Sequence, residues 1–321
     1  MKRTFQPRLF FIVALVVLMT TVVSTGQAVA KRQMTIVTAG VGGAWYPIGG
    51  VLANLITKNI PDTAGTVTGG GGIANVFSVG SGKADIGFAF PSDIANAQKG
   101  LDEFAGKPVA NIRVITAIYP GTLHIVARAD SDIKTIADLK GKILCVPPKG
   151  NTAEKMVRKV LAVYNLSYND LKKVNYLSYS DSADLIRDGH ADIFMAMSTV
   201  PMPALNDLAK SKPLRLIPID KEHMAKLEAD NPAYFENVIP GGSYEGAAEP
   251  VSFPAMTTLI ITRSDLPADL IYQITKTMYE NKKDFVAVIK LMDEMKIENW
   301  KQTGGVPLHP GAEKFYKEAT K

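Results

Sequence analysis

Two segments of this chain, 107 residues apart, follow the same pattern. GKADIGFA at 82–89 returns as GHADIFMA at 189–196, Gly43 falls on Gly150, and Ile36 and Val37 fall on Ile143 and Leu144. Apolar strand, glycine turn, helix and a later Gly-x-Ala-Asp-Ile keep one register, which predicts two lobes of similar topology. The surrounding periodicity agrees. Strands are expected at 34–39, 84–90, 112–119, 124–128 and 142–146, with helices over 45–59 and 151–164. Strands alternating with helices argue for mostly parallel sheets flanked by helices, an α/β fold.

In each lobe the glycine turn ends a strand and opens a helix. The unpaired N–H groups of a helix's first turn then point beyond the strand ends, and each N-terminus carries roughly half a positive charge. Two such lobes facing each other direct two helix starts into one cleft, which suits an anion.

That anion is not a nucleotide phosphate. In TAGVGGAWYPIGG at 38–50, Trp45 stands where the dinucleotide fingerprint needs its third glycine for close helix packing. Gly82-Lys83 is followed by Ala84 and lacks the upstream glycine of a phosphate loop. The histidines at 124, 190, 223 and 309 stand singly and Cys145 is the sole cysteine, so no metal site and no disulfide framework is expected. Ser243, within GGSYEG at 241–246, sits one place early for a nucleophile elbow. The repeated acids Asp85 and Asp192 follow a glycine turn, where anchoring the turn is a commoner role than catalysis. No nucleophile, base and orienting group occur together, so the expectation is a binder rather than an enzyme, without cofactor.

The chain opens with Lys2, Arg3 and Arg8, an apolar run LFFIVALVVLM at 9–19, and Ala28-Val29-Ala30. This is the form of a secretory signal over 1–30, too short to span a bilayer at roughly 20 residues, so a cleaved leader and a periplasmic mature chain are expected. Without residues 1–30 the charge is 33 basic against 31 acidic residues, and no Lys/Arg cluster interleaved with aromatics speaks for nucleic acid. The remaining 291 residues exceed what one core usually serves.

Further stretches carry a resemblance across the mature chain: VTAGVGGAWYPIGG at 37–50, YP at 119–120, RADS at 128–131, ADLKGK at 137–142, GNTAE at 150–154, PMPA at 201–204, DLP at 265–267, YEN at 279–281 and PLHPGA at 307–312. In these the sequence resembles the TAXI family, the solute receptors of tripartite ATP-independent periplasmic (TRAP) transporters. It departs from the family's usual pattern at GGIAN (71–75), FPSD (90–93) and YPG (119–121). The resemblance implies a two-lobed periplasmic binding-protein fold, type II-like, with two crossover segments and a ligand cleft between lobes. It also implies a small carboxylate ligand such as glutamate or 2-oxoglutarate, docking on TRAP membrane subunits, and transport driven by an ion gradient. The boundaries expected are 31–123 with 258–321 for lobe I and 124–257 for lobe II, a monomer. A periplasmic sensory receptor is the alternative output, and a secreted hydrolase or transferase on a similar fold a third reading.

The residues expected at the ligand are Gly43, Trp45, Tyr46, Ser92, Tyr119, Lys149, Asn151, Thr152, Ser198 and Thr199. Gly43, Ala44 and Trp45 offer amides and the Tyr46 hydroxyl suits a carboxylate. Asn151 and Thr152 open the second helix, and Lys149 is the cation in a site loop. Ser92, Ser198 and Thr199 follow strand ends, where ligands sit in such sheets. Ordinary structural roles stand beside these: Trp45 and Tyr46 as helix-start packing, Asn151 as an N-cap, Lys149 as a solvated lysine, Tyr119 as a core tyrosine.

Overall fold

Arg32–Val37 forms β1, whose Met34, Ile36 and Val37 are buried. The glycine turn after it opens α1, Trp45–Asn59, which buries Trp45, Ile48, Leu52, Leu55 and Ile56 at helical spacing. β2 (Thr63–Thr68) pairs parallel to β1, α2 (Gly72–Gly80) follows, and β3 (Ile86–Ala89) pairs parallel on the other side of β1. Gly65 lets β2 lie close to α1, since a Cβ there would sit 2.6 Å from the Ala53 backbone. These are features of the computed structural model, which describes residues 31–321; the leader expected over 1–30 lies outside them. Residues 32–321 form one compact unit.

After α3 (Pro91–Lys99) and the long strand β4 (Ile112–Arg128), the same plan is repeated. β5 (Ile143–Val146), α4 (Thr152–Val163), β6 (Lys173–Tyr176), α5 (Tyr179–Arg187) and β7 (Ile193–Ser198) place β5 between β6 and β7, both parallel to it. Next come α6 (Pro203–Ala209), β8 (Leu214–Leu216), α7 (Lys221–Asp230), β9 (Phe235–Ile239) and the second long strand, β10 (Val251–Arg263). The chain ends with α8 (Ala268–Glu280), α9 (Lys282–Val288) and α10 (Pro310–Ala319). These return to the first repeat, where the Tyr316 hydroxyl donates to the Ile115 carbonyl at 2.9 Å.

The strand order β2-β1-β3-β10-β4-β7-β5-β6 is nearly a palindrome. Each parallel trio is closed by an antiparallel crossover strand, β10 on β3 and β4 on β7, and the crossovers pair with each other in the middle. The structure therefore has the expected two-lobed α/β architecture with two crossover segments.

Two details depart from the sequence reading. The repeat does not keep a single register: Ile36 lies opposite Ile86 and Leu144 opposite Ile193, so the strands correspond at 108 residues while the helices and acidic strands correspond at 107. The slip falls in the glycine turn, where the left-handed residues are Gly42 (φ 89°) and Gly150 (φ 85°). The strands expected at 112–119 and 124–128 are one strand. Pro120 and Gly121 read as a break, but the register shift between Thr257 and Leu259 sets Pro120 beside a bulge, where a missing N–H is tolerated. Gly121 is held to glycine by the Phe90 ring, 2.6 Å from where its Cβ would lie.

Candidate functional site

Each glycine turn touches the opposite lobe. Gly42 presses so closely on the second lobe that a Cβ would lie 2.7 Å from the Ser180 amide nitrogen. The Val41 carbonyl accepts from Ser180 N at 3.3 Å and the Gly42 carbonyl from Ala204 N at 3.2 Å. From the other turn, the Gly150 carbonyl accepts from Ala74 N at 3.0 Å. Backbone groups thus stitch the lobes together, and glycines make the approach possible.

Between the turns lies a cavity of about 10 Å³, room for about one water. Gly43, Ala44 and Trp45 at the start of α1 line it, with Asn151 at the start of α4, Met197 and Ser198 at the end of β7, Ala39 past β1, and the rings of Phe90 and Tyr179. The Ala44 amide, at the α1 N-cap, donates to Ser198 Oγ of the other lobe over a long 3.4 Å. Asn151 Oδ1 caps its own helix, accepting from Ala153 N at 2.9 Å. The Tyr179 hydroxyl donates to the Met197 carbonyl at 2.9 Å, so it is already committed. No charged side chain lines this cavity; its polarity comes from the helix starts, Ser198 and Asn151.

Of the residues expected at the ligand, Gly43, Trp45, Asn151 and Ser198 wall the cavity and six do not. Trp45 is also core, its ring stacked on Phe88 at 5.5 Å and tilted on Phe90 at 5.2 Å. Tyr46 is exposed, because the next position on a helix is turned by about 100°. Lys149 is exposed too, with its ammonium over the Tyr176 ring at 5.5 Å. Ser92 Oγ lies 3.1 Å from Met256 Sδ, and Thr199 Oγ1 donates to the Pro201 carbonyl at 2.8 Å. Tyr119 is buried in the β4 bulge region; its hydroxyl makes no hydrogen bond, burial holds its proton on more firmly, and the Trp45 indole lies beside it outside hydrogen-bonding geometry.

Thr152 turns away from the cavity and donates through Oγ1 to Asp93 Oδ2 at 2.6 Å, across the lobe boundary. Asp93 is buried, and its carboxyl is pushed up to about 7, chiefly by that burial. Nearby, Lys155 of α4 pairs with Asp102 (2.5 Å) and Glu103 (3.1 Å), and Arg158 with Glu103 (3.2 Å). The repeated acids are built into the strands: Asp85 accepts from Thr35 N at 2.9 Å and pairs with Arg263, and Asp192 accepts from Ile143 N at 2.7 Å.

Sequence reading missed Phe90, Tyr179, Met197 and Asp93. The rule that ligands gather at carboxyl ends of strands points to Phe90 and Met197; Tyr179 opens a helix with no pattern to mark it. Among the described residues no group of three or more His, Cys, Asp or Glu could hold a metal ion, and no helix is long and apolar enough to cross a membrane.

The fold and site define a two-lobed α/β protein whose lobes meet at a small interlobe cavity between two helix starts. Over residues 36–319 the chain matches the model of the NMT1-like family, and it belongs to that family. Solved structures similar to it include the alkanesulfonate-binding protein SsuA from Xanthomonas axonopodis pv. citri bound to MOPS, 18% identical over 90% of this chain and 83% of that one, with a TM-score of 0.46. The aliphatic sulphonate-binding protein SsuA of Escherichia coli is 14% identical (91% and 88% covered, TM-score 0.42). A chain from work on glutathione import through GshT and the cystine importer TcyBC of Streptococcus mutans is 16% identical (83% and 96% covered, TM-score 0.49).

Proposed function

We propose that this protein is a periplasmic solute receptor that closes its two lobes on a small carboxylate and delivers it to TRAP transporter membrane subunits, acting as a monomer and not as an enzyme. The observation that carries this reading is the convergence of two helix starts, one from each lobe, on one cavity beside the crossover strands β4 and β10. Donor-rich helix starts suit an anionic head group. Ser198 and Asn151 add a hydroxyl and an amide, and Trp45, Phe90 and Tyr179 offer apolar faces to the rest of the solute. We take lobe I as 31–123 with 258–321 and lobe II as 124–257, so that the lobes turn about the middle of β4 and β10. The resemblance to TAXI receptors supports the TRAP partner, and membership of the NMT1-like family is compatible with solute capture.

The test is mass spectrometry of what co-purifies with the mature protein, followed by calorimetry against small carboxylates, amino acids and sulfonates. A carboxylate bound at micromolar affinity is expected. Binding of none of these solutes would overturn the reading, and preference for a sulfonate would overturn its ligand class.

A further inference from the structure

Most contacts that join the lobes are neutral backbone hydrogen bonds or ion pairs near the surface. Asp93 is of another kind. It is the third residue of α3, is 2% exposed, and both of its hydrogen bonds fall on Oδ2: from Thr152 Oγ1 of the second lobe and from the Phe90 amide of its own helix start at 3.3 Å. Solute capture as proposed above uses neither Asp93 nor Thr152, since neither lines the cavity.

We propose that Asp93 and Thr152 form a proton-linked latch: the lobes close onto Asp93 in its neutral acid form, and loss of that proton favours their parting. The inference rests on the lobes opening and closing as a receptor's must.

The groups around Asp93 leave a charge there poorly compensated. From α4, Lys155 is the cation that faces it, but Lys155 is already held by Asp102 and Glu103. Glu103 itself repels a charged Asp93, and the Tyr234 phenol faces it from the segment before β9. From α2 comes backbone alone, because a Cβ on Gly72 would lie 2.5 Å from Asp93 Oδ2 and 2.0 Å from Thr152 Oγ1. Thr152 and Phe90 draw the carboxyl downward, yet burial outweighs them and holds it near 7.

Parting the lobes removes Thr152, Lys155 and Tyr234 and returns Asp93 to water, where an aspartate titrates near 4. The closed form therefore binds the proton more tightly, so closure takes up a proton and is favoured as pH falls. Between about 7 and about 4 Asp93 changes the closed-to-open ratio by up to about tenfold per pH unit; outside that window its contribution is flat.

Small-angle X-ray scattering of the mature protein without added solute, at pH about 8 and about 5.5, reads lobe closure, and infrared spectroscopy reads the carboxylic-acid carbonyl band. We expect a closed-to-open ratio roughly thirtyfold higher at the lower pH, with an acid band that vanishes in Asp93→Asn. That variant mimics the neutral acid and should stay closed at both pH values. A wild-type closure that ignores pH, or an Asp93→Asn variant that keeps the wild-type response, would overturn the latch. Should Asp93→Asn fail to fold, Thr152→Val removes the donor that pulls the carboxyl down, so the midpoint of closure should move to higher pH; an unmoved midpoint counts against the proposal. Failure of the receptor reading looks different: calorimetry then finds no solute bound at any pH, whereas failure of the latch alone leaves solute binding with pH-independent closure.

Discussion

At the start of α4, Asn151 caps its own helix through a 2.9 Å bond to Ala153 N. At the start of α1, Ala44 has no side-chain cap to offer, and its amide reaches instead to Ser198 of the other lobe over 3.4 Å. The second-lobe helix is thus complete in itself, while the first-lobe helix start is completed only across the cleft. If the solute is the anion proposed above, it would compete with a weak interlobe bond at α1 and with a strong local one at α4. The α1 turn is therefore the more available half of the pair, and the one expected to respond to the solute.

Trp45→Ala should have the largest effect on this asymmetry, because it removes the buried ring that seats α1 on Phe88 and Phe90. Thermal and denaturant melts should show a loss of about 3–5 kcal/mol, and a smaller loss would mean that the ring serves the cavity more than the core. Gly72→Ala comes next. Its Cβ would meet Thr152 Oγ1 of the other lobe at 2.0 Å and Asp93 Oδ2 of its own lobe at 2.5 Å, and overpacking of about 1–3 kcal/mol should lower the melting temperature and weaken solute binding about tenfold. If scattering still finds the closed form in Gly72→Ala, the contact is not needed for closure.

Paired substitutions at the two helix starts sharpen the comparison. Asn151→Ala should cost about 1 kcal/mol of stability, whereas Ser198→Ala should scarcely move the melt and should change closure and solute affinity instead. Equal stability losses would show that the helix starts are not supported differently. Lys149→Ala, outside the cavity wall, should leave affinity and melting unchanged; a lost affinity in calorimetry would return Lys149 to the site.

The elements that the sequence made legible are those fixed by local rules. The helices expected over 45–59 and 151–164 form as Trp45–Asn59 and Thr152–Val163, because apolar spacing and boundary residues are short-range signals. The two lobes follow from a repeat that survives as strand, glycine turn and helix. Harder to read were the features that depend on distant partners. β4 is continuous through Pro120 because it carries a bulge there, two of its residues facing the single residue Thr258 of β10. Tyr46 and Trp45 are neighbours in sequence, yet only one faces the cavity, because helix phase separates them. Asp93 has no local signal of its burial, because the Thr152 hydroxyl that meets it comes from the other lobe.

The sequence by itself therefore determined the repeated β/α plan and the glycine turns that open two helices, since each is written in local patterns. The tertiary structure decided which side chains wall the cavity, where the repeat slips by one residue, and which acid is buried between the lobes. Those depend on the approach of residues some 60 to 150 positions apart, such as Asp93 with Thr152 and Ala44 with Ser198. Burial and desolvation, which set the behaviour of Asp93, exist only once those distant surfaces have met.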